Sequence, residues 1–309
     1  MKAMVFTRYG PPDAIKLKEV PKPAPKEDEL LIRVQASSIN SWDWELLTGK
    51  PFINRLMFGL LKPKQGKHIL GADIAGTVEA VGRLVTRFQP GDEVFGDLGD
   101  NWGGFAEYAC AHETALEPKP ANSTFEQAAA VPQAGVLALQ GIRKTGQIQP
   151  GQKVLINGAG GGVCTFAVQI AKLSETEVTG VDASHKLDAI GSLGADHVID
   201  YAQKDFTKTG ERYDLVLDCQ GYRSMFDYKR ALRPGGIYAM VGGPLPRILQ
   251  LLLLNFCGPL TGESRNLRLV AEGPNKGLAD LRELIDAGKL VPVVDRTFGL
   301  SQVPEALAY

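Results

Sequence analysis

Val154-Leu155-Ile156-Asn157-Gly158-Ala159-Gly160-Gly161-Gly162-Val163-Cys164, running on into Phe166-Ala167-Val168-Gln169-Ile170-Ala171, decides the fold. Three apolar residues, two of them β-branched, read as a buried parallel strand. The glycines that follow make a sharp turn, and Ala167, Ile170 and Ala171 then recur at helical spacing. Strand, glycine turn and helix in that order bring backbone N–H groups and the positive end of a helix dipole to one point, which suits a pyrophosphate. A glycine-rich turn alone is weak evidence. A second signal supports it: Val178-Thr179-Gly180-Val181-Asp182 reads as a strand ending in a carboxylate about twenty residues on, the spacing of a group that meets the adenosine ribose. The stretch therefore predicts a dinucleotide-binding unit.

On the C-terminal side, strands and helices alternate over 153–157, 163–173, 177–182, 184–193, 197–200, 213–219, 223–232, 236–241 and 267–271. That pitch implies parallel βαβ units with right-handed crossovers, a doubly wound parallel sheet. A helix is expected near 276–287, then a strand over 290–298 returning to the first domain. Residues 304–309 read as the middle of a helix, so a C-terminal truncation is expected. Toward the N-terminus the pattern is different. Short strands at 3–7, 15–19, 30–36, 71–81 and 104–109, and a turn into a strand over 89–95, are set off by glycine and proline turns, barrel-like in pattern. Pro21, Pro23 and Pro25 mark an extended surface linker. From Phe125 to Thr145 the chain reads as helix, broken at Pro132. The fold class is α/β, with domains at 1–121, 122–272 and a return segment at 273–309.

Composition narrows the function classes. A net charge of −1 gives no electrostatic reason to expect nucleic acid. Cys110, Cys164, Cys219 and Cys257 lie far apart with no C-x-x-C pair, so they read as isolated, reduced thiols of a cytoplasmic protein. Residues 249–256 (LQLLLLNF), the most apolar run, are too short to span a bilayer. They read as a buried core helix, a lid over a substrate cleft or a dimer surface; a homodimer is expected.

Several motifs in order carry a resemblance. They are Gly71-Ala72-Asp73-Ile74-Ala75-Gly76, Val78-Glu79-Ala80-Val81-Gly82, Pro90-Gly91-Asp92-Glu93-Val94 and Gly104-Phe105-Ala106-Glu107-Tyr108. After the glycine turn come Leu193-Gly194-Ala195-Asp196-His197-Val198-Ile199-Asp200-Tyr201 and Leu232-Arg233-Pro234-Gly235-Gly236. Over nearly its whole length the chain resembles the medium-chain dehydrogenase/reductase superfamily, and within it the zinc-free, zeta-crystallin-like quinone oxidoreductases. The resemblance implies a GroES-like β-rich catalytic domain, a Rossmann domain inserted within it, and an active site in the cleft between them.

It also implies residue roles. Positions that hold a catalytic zinc pair in the superfamily's alcohol dehydrogenases read Asn40 and Ala72 here, and neither supplies a thiolate or imidazole. Asn40 is a candidate to bond a substrate carbonyl or the nicotinamide ribose; the competing reading is a helix cap. Asp43 either orients that loop or answers the helix dipole. Trp42 and Trp44 read as core packing, or as an aromatic wall for a flat quinone. Gly161, Gly162 and Val163 offer donors to the pyrophosphate, with Gly158 in the turn. Cys164 stands where relatives carry glycine and reads as a buried small hydrophobe. Cys219, Gly242 and Gly243 follow strands of the sheet and border the site. Relatives hold the adenosine 2′-phosphate with a lysine and a tyrosine that match Lys186 and Tyr201, which points to NADPH. Asp182 points to NADH, and the reading leans that way.

The leading function is therefore zinc-independent hydride transfer from NADH or NADPH to a quinone or enone. Alcohol or aldehyde dehydrogenation, and a non-catalytic dinucleotide-binding redox sensor, are the alternatives.

Overall fold

The computed structural model describes residues 1–64, 68–261, 266–270 and 273–309. They form two compact units. One comprises Met1–Gln133, Pro274–Ala287 and Pro292–Tyr309; the other comprises Ala134–Gly273 and Gly288–Val291.

The first unit is built from strands. β1 (Lys2–Phe6) and β2 (Ile15–Glu19) form an antiparallel pair. β3 (Glu29–Ser37) leads to α1 (Ser41–Thr48) and α2 (Phe52–Phe58), and the chain returns through β4 (Asp73–Val81), β5 (Glu93–Asp97), β6 (Tyr108–His112) and β7 (Glu117–Pro118). These last strands and β3 make a five-stranded antiparallel sheet in the order β6-β3-β4-β5-β7. α3 (Phe125–Ala129) packs on β3 and β4. Leu30, Ile32, Ile74, Val78 and Val94 fill the core of the sheet. The expected strand at 104–109 begins later, at Tyr108. Gly104 and Phe105 instead donate their N–H groups to Gly71 and Leu70, at 2.8 and 2.9 Å.

α4 (Pro132–Leu139) has its first two residues in the first unit and the rest in the second, and passes into a π-helical segment, Gln140–Thr145. Then come β8 (Lys153–Asn157), α5 (Gly162–Leu173), β9 (Glu177–Asp182), α6 (Leu187–Ser192), β10 (His197–Asp200) and β11 (Tyr213–Asp218). α7 (Met225–Ala231), β12 (Leu232–Met240), α8 (Leu245–Thr261) and β13 (Leu267–Leu269) complete it. All six strands are parallel, in the order β10-β9-β8-β11-β12-β13. Counted from β8 this is 3-2-1-4-5-6, the order of a Rossmann sheet, with its switch point between β8 and β11. The chain ends in the first unit with α9 (Leu278–Asp286) and α10 (Val303–Ala308).

Two expectations are corrected. Residues 290–298 form no strand. The N–H and C=O of Val291 bond the side-chain amide of Gln169, at 2.9 and 3.0 Å, where a strand would have found a backbone partner. The run 249–256 is not a wholly buried core helix. In α8, Leu251 is buried and Ile248 and Leu254 pack beside it, but Leu249, Leu252, Leu253 and Phe256 face outward, Phe256 with 80% of its surface exposed.

Candidate functional site: a glycine-turn cradle and a buried carboxylate cluster

In the Rossmann unit, β8 ends at Asn157 and the chain turns through Gly158, whose φ of +84° requires glycine. The N–H groups of Gly158 and Ala159 donate to Val181 O in the neighbouring strand, at 2.9 and 3.0 Å. Gly161 N–H closes the turn on Gly158 O at 2.9 Å, and Gly160 N–H donates to Asp182 Oδ2 at 2.8 Å. The helix ladder begins with Thr165 N–H on Gly161 O. The donors left at the head of α5 are therefore Gly162, Val163 and Cys164. Gly161 differs from its expected role: its N–H is spent inside the turn, and the donor set sits one residue later.

Asp182 closes β9. Its Oδ1 accepts Ala183 N–H at 2.8 Å and lies 3.8 Å from Lys186 Nζ. Lys186 lies over Gly160, where a Cβ would stand 2.7 Å from the lysine Cδ. The turn, Asp182 and Lys186 thus converge at one corner of the sheet. Tyr201 is bonded to the same strand end, N–H to Asp182 O at 3.2 Å, and its ring is exposed. Gly242, at φ +66°, has open space where a Cβ would sit, whereas a Cβ on Gly243 would meet Met240.

Beyond the switch point, Asp218 ends β11 fully buried. It accepts Asn157 Nδ2 at 2.8 Å, the N–H groups of Gln220 and Gly221, and the Tyr238 hydroxyl at 2.6 Å. Burial beside this carboxylate raises the Tyr238 phenol pKa. Asp218 fixes the turn that carries Cys219 and clamps it to the end of β8. Sequence reasoning passed over it. Its signal was available: a lone carboxylate closing an apolar strand.

The β-rich unit holds the second group. Asn40 is the N-cap of α1, and its own N–H donates to Asp43 Oδ2 at 2.8 Å. Asp43 Oδ1 accepts Gly71 N–H at 2.9 Å, so this carboxylate ties the head of α1 to the approach of β4. The Asn40 side chain donates to Asp73 Oδ2 at 3.1 Å and to Ser38 Oγ at 3.3 Å. Asp73 Oδ2 also takes Ser38 Oγ–H and Gln133 N–H, while Oδ1 is buried with no partner. Burial pushes the Asp43 carboxyl up to about 7, against the pull of its two backbone donors, and Asp97 adds to the rise. Burial and the nearby Asp97 likewise hold Asp73 well above the usual carboxylate range. Asp73 is the residue the sequence reading missed here. Trp42 and Trp44 are corrected: both are exposed, at 55% and 43%, and neither packs in the core.

Two family descriptions match the chain, an alcohol dehydrogenase GroES-like domain over residues 26–121 and a zinc-binding dehydrogenase over 193–309. A chloroplastic quinone oxidoreductase, QR1, of Triphysaria versicolor is 33% identical over 322 residues, covering 100% of this chain and 94% of that protein. The chain belongs to the medium-chain dehydrogenase/reductase superfamily, in its quinone oxidoreductase branch. It is accordingly an oxidoreductase. The chloroplastic NADPH-dependent alkenal/one oxidoreductase of Arabidopsis thaliana is 30% identical over 100% of this chain and 76% of its own length. The solved quinone oxidoreductase of Coxiella burnetii superposes with a TM-score of 0.85 at 29% identity, covering 99% of this chain and 94% of that one. Neither Asn40 nor Ala72, the two positions weighed for a catalytic zinc, carries a thiolate or an imidazole. Asn40 spends its amide on Asp73 and Ser38, Ala72 offers a buried methyl, and no cluster of three or more His, Cys, Asp or Glu that could hold a metal occurs among the described residues.

Proposed function

We propose that this oxidoreductase uses NADH or NADPH to reduce a quinone or an α,β-unsaturated carbonyl, without zinc. The observation that carries the reading is the corner where Gly160, Asp182 and Lys186 converge beside the free N–H groups of Gly162, Val163 and Cys164. That corner fits a dinucleotide. Unpaired helix-head donors suit its pyrophosphate, and a strand-end carboxylate suits the ribose diol. When bound, the nucleotide supplies the hydride. The chain's own residues bind and orient: Asp182, Lys186 and Tyr201 at the adenosine end, Gly242 leaving room further along. In the β-rich unit, Asp43 and Asp73 hold the Asn40 loop, and Asn40 keeps an amide beside a carboxyl group that burial favours as the neutral acid.

The substrate class follows the printed activities of the relatives, quinone and alkenal/one reduction. A metal-free site must polarise a carbonyl by hydrogen bonds rather than by a Lewis acid. The sequence spacing of the cysteines, with no C-x-x-C pair, supports a reducing, cytoplasmic setting, and the exposed apolar face of α8 supports a homodimer. No described helix is long and apolar enough to cross a membrane. Oxidation of NADH and NADPH followed with a panel of quinones, enones and aldehydes, before and after prolonged chelation, tests the proposal. Turnover of quinones or enones that survives chelation is the expected result. Turnover of aldehydes alone, or one stoichiometric zinc per chain, overturns it.

A further inference from the structure

Cys164 and Cys219 are distant in sequence and meet at one carbonyl. Cys164 stands in the first turn of α5, fully buried; Cys219 is the first residue after β11 and is half-buried. Cys219 N–H donates to Asn157 O at 3.2 Å, and the Cys164 thiol reaches the same oxygen at 3.8 Å. The strands beneath are locked side by side, Asp218 opposite Asn157 in the β8–β11 register and bonded to its side chain. The neighbouring Cys219 thiol and burial together raise the pKa of Cys164. Cys110, by contrast, lies in the other unit.

We propose that Cys164 and Cys219 form a peroxide-oxidisable dithiol whose disulfide closes at the head of the nucleotide cradle. Cys219, the more exposed sulfur, loses its proton and attacks one oxygen of hydrogen peroxide. An S–O bond forms, the O–O bond breaks, and the departing hydroxide takes up the Cys219 proton to leave as water. Cys164 then attacks the sulfenic sulfur. The S–S bond forms, the S–O bond breaks, and the hydroxyl leaves with the Cys164 proton as a second water. Two electrons pass from the two sulfurs to one peroxide. The bond ties the first turn of α5, which carries the donors of Gly162, Val163 and Cys164, to the loop after β11. Resting on the cofactor reading above, this means that nucleotide binding and disulfide formation oppose one another, each weakening the other by the same factor.

The full chain, treated with hydrogen peroxide with and without NADPH, is digested unreduced and examined by peptide mass spectrometry. The expected product is a single chain with the peptides of Cys164 and Cys219 joined, lighter by two hydrogens and restored by dithiothreitol. It forms in Cys110→Ser, is absent from Cys219→Ser, and forms more slowly under NADPH. The oxidised chain should bind NADPH about tenfold more weakly than the reduced one. Thermal unfolding of Cys219→Ser alongside the parent shows that the variant is folded. A Cys219 sulfinic acid with Cys164 still reduced, or a bond from either cysteine to Cys110 or to another chain, overturns the proposal. So does an oxidised chain that binds NADPH as tightly as the reduced one. If the internal bond forms and neither state binds nucleotide, the dithiol stands and the cofactor reading falls.

Discussion

Gly160 donates its backbone N–H to the carboxylate of Asp182 at 2.8 Å, so the residue proposed to meet the ribose also holds the glycine turn in shape. A substitution that removes the oxygen therefore confounds two effects. Asp182→Asn removes the charge and keeps an oxygen for Gly160, giving up only the local bond from Ala183 N–H. A carboxylate repels a 2′-phosphate and favours a ribose diol. The ratio of kcat/KM with NADPH to that with NADH should rise by about one to two orders of magnitude, roughly 1.4–2.7 kcal/mol. Steady-state kinetics with both nucleotides checks this. Unchanged preference in Asp182→Asn would mean that the ribose lies elsewhere.

Lys186 tests the same corner from the cationic side. Its ammonium is 3.8 Å from Asp182 and partly exposed, a weak ion pair that leaves it available to a phosphate. Lys186→Ala should raise KM for NADPH more than for NADH, by about tenfold, since only the former loses a charge–phosphate contact. Equal losses with both nucleotides would instead assign the lysine to covering Gly160.

The strand, the glycine turn and Asp182 were legible because their signals are local: apolar run, glycines and carboxylate lie within one βαβ unit. The carboxylate cluster was less so. Asp73 bonds Asn40 across the β3–β4 return, and nothing in the spacing of the two residues announces that contact. The misread strand at 290–298 has the same origin. A run containing Val291, Val293 and Val294 has strand propensity, but a strand also needs an edge to pair with, and Val291 pairs with the Gln169 side chain. Of the two readings given to Trp42 and Trp44, core packing fails because α1 buries Asp43, Leu46 and Leu47 instead.

The exposure pattern of α8 sets two substitutions against each other. Leu251 is buried among Met240, Tyr228 and Leu267, so Leu251→Ala should cost about 2–5 kcal/mol. Leu252 and Leu253 are 51% and 64% exposed, and changing both to serine should alter stability by about 0.5 kcal/mol or less. Urea unfolding of the two variants measures both. If the same double change turns a dimer into a monomer in sedimentation, the outer face of α8 is the dimer surface; a rise in KM for apolar substrates at constant mass identifies a lid.

The last prediction concerns Asp43 and the direction in which pH moves stability. Its carboxyl is raised to about 7 in the folded chain, chiefly because it is fully buried, and Asp97 adds to this. In the unfolded chain the same group titrates near 3.8. The folded state therefore binds more protons over the interval between these values, and stability must fall as pH rises through it. The contribution is complete below pH of about 4 and lost once the pH passes about 7. Asp73, raised by burial and by Asp97, acts with the same sign. Depressed carboxylates such as Asp200 and Asp227 act oppositely, but their contribution disappears only on acidification below the ordinary carboxylate range. Between pH 5 and 7, then, the buried pair dominates, and urea unfolding should show the chain less stable at pH 7. Asp43→Asn keeps an acceptor oxygen and cannot ionise. It should reduce that pH 5-to-7 difference by about 2 kcal/mol while leaving the slope due to Asp73. A variant with the full parental slope would mean that Asp43 stays ionised when buried, held by the N–H groups of Asn40 and Gly71.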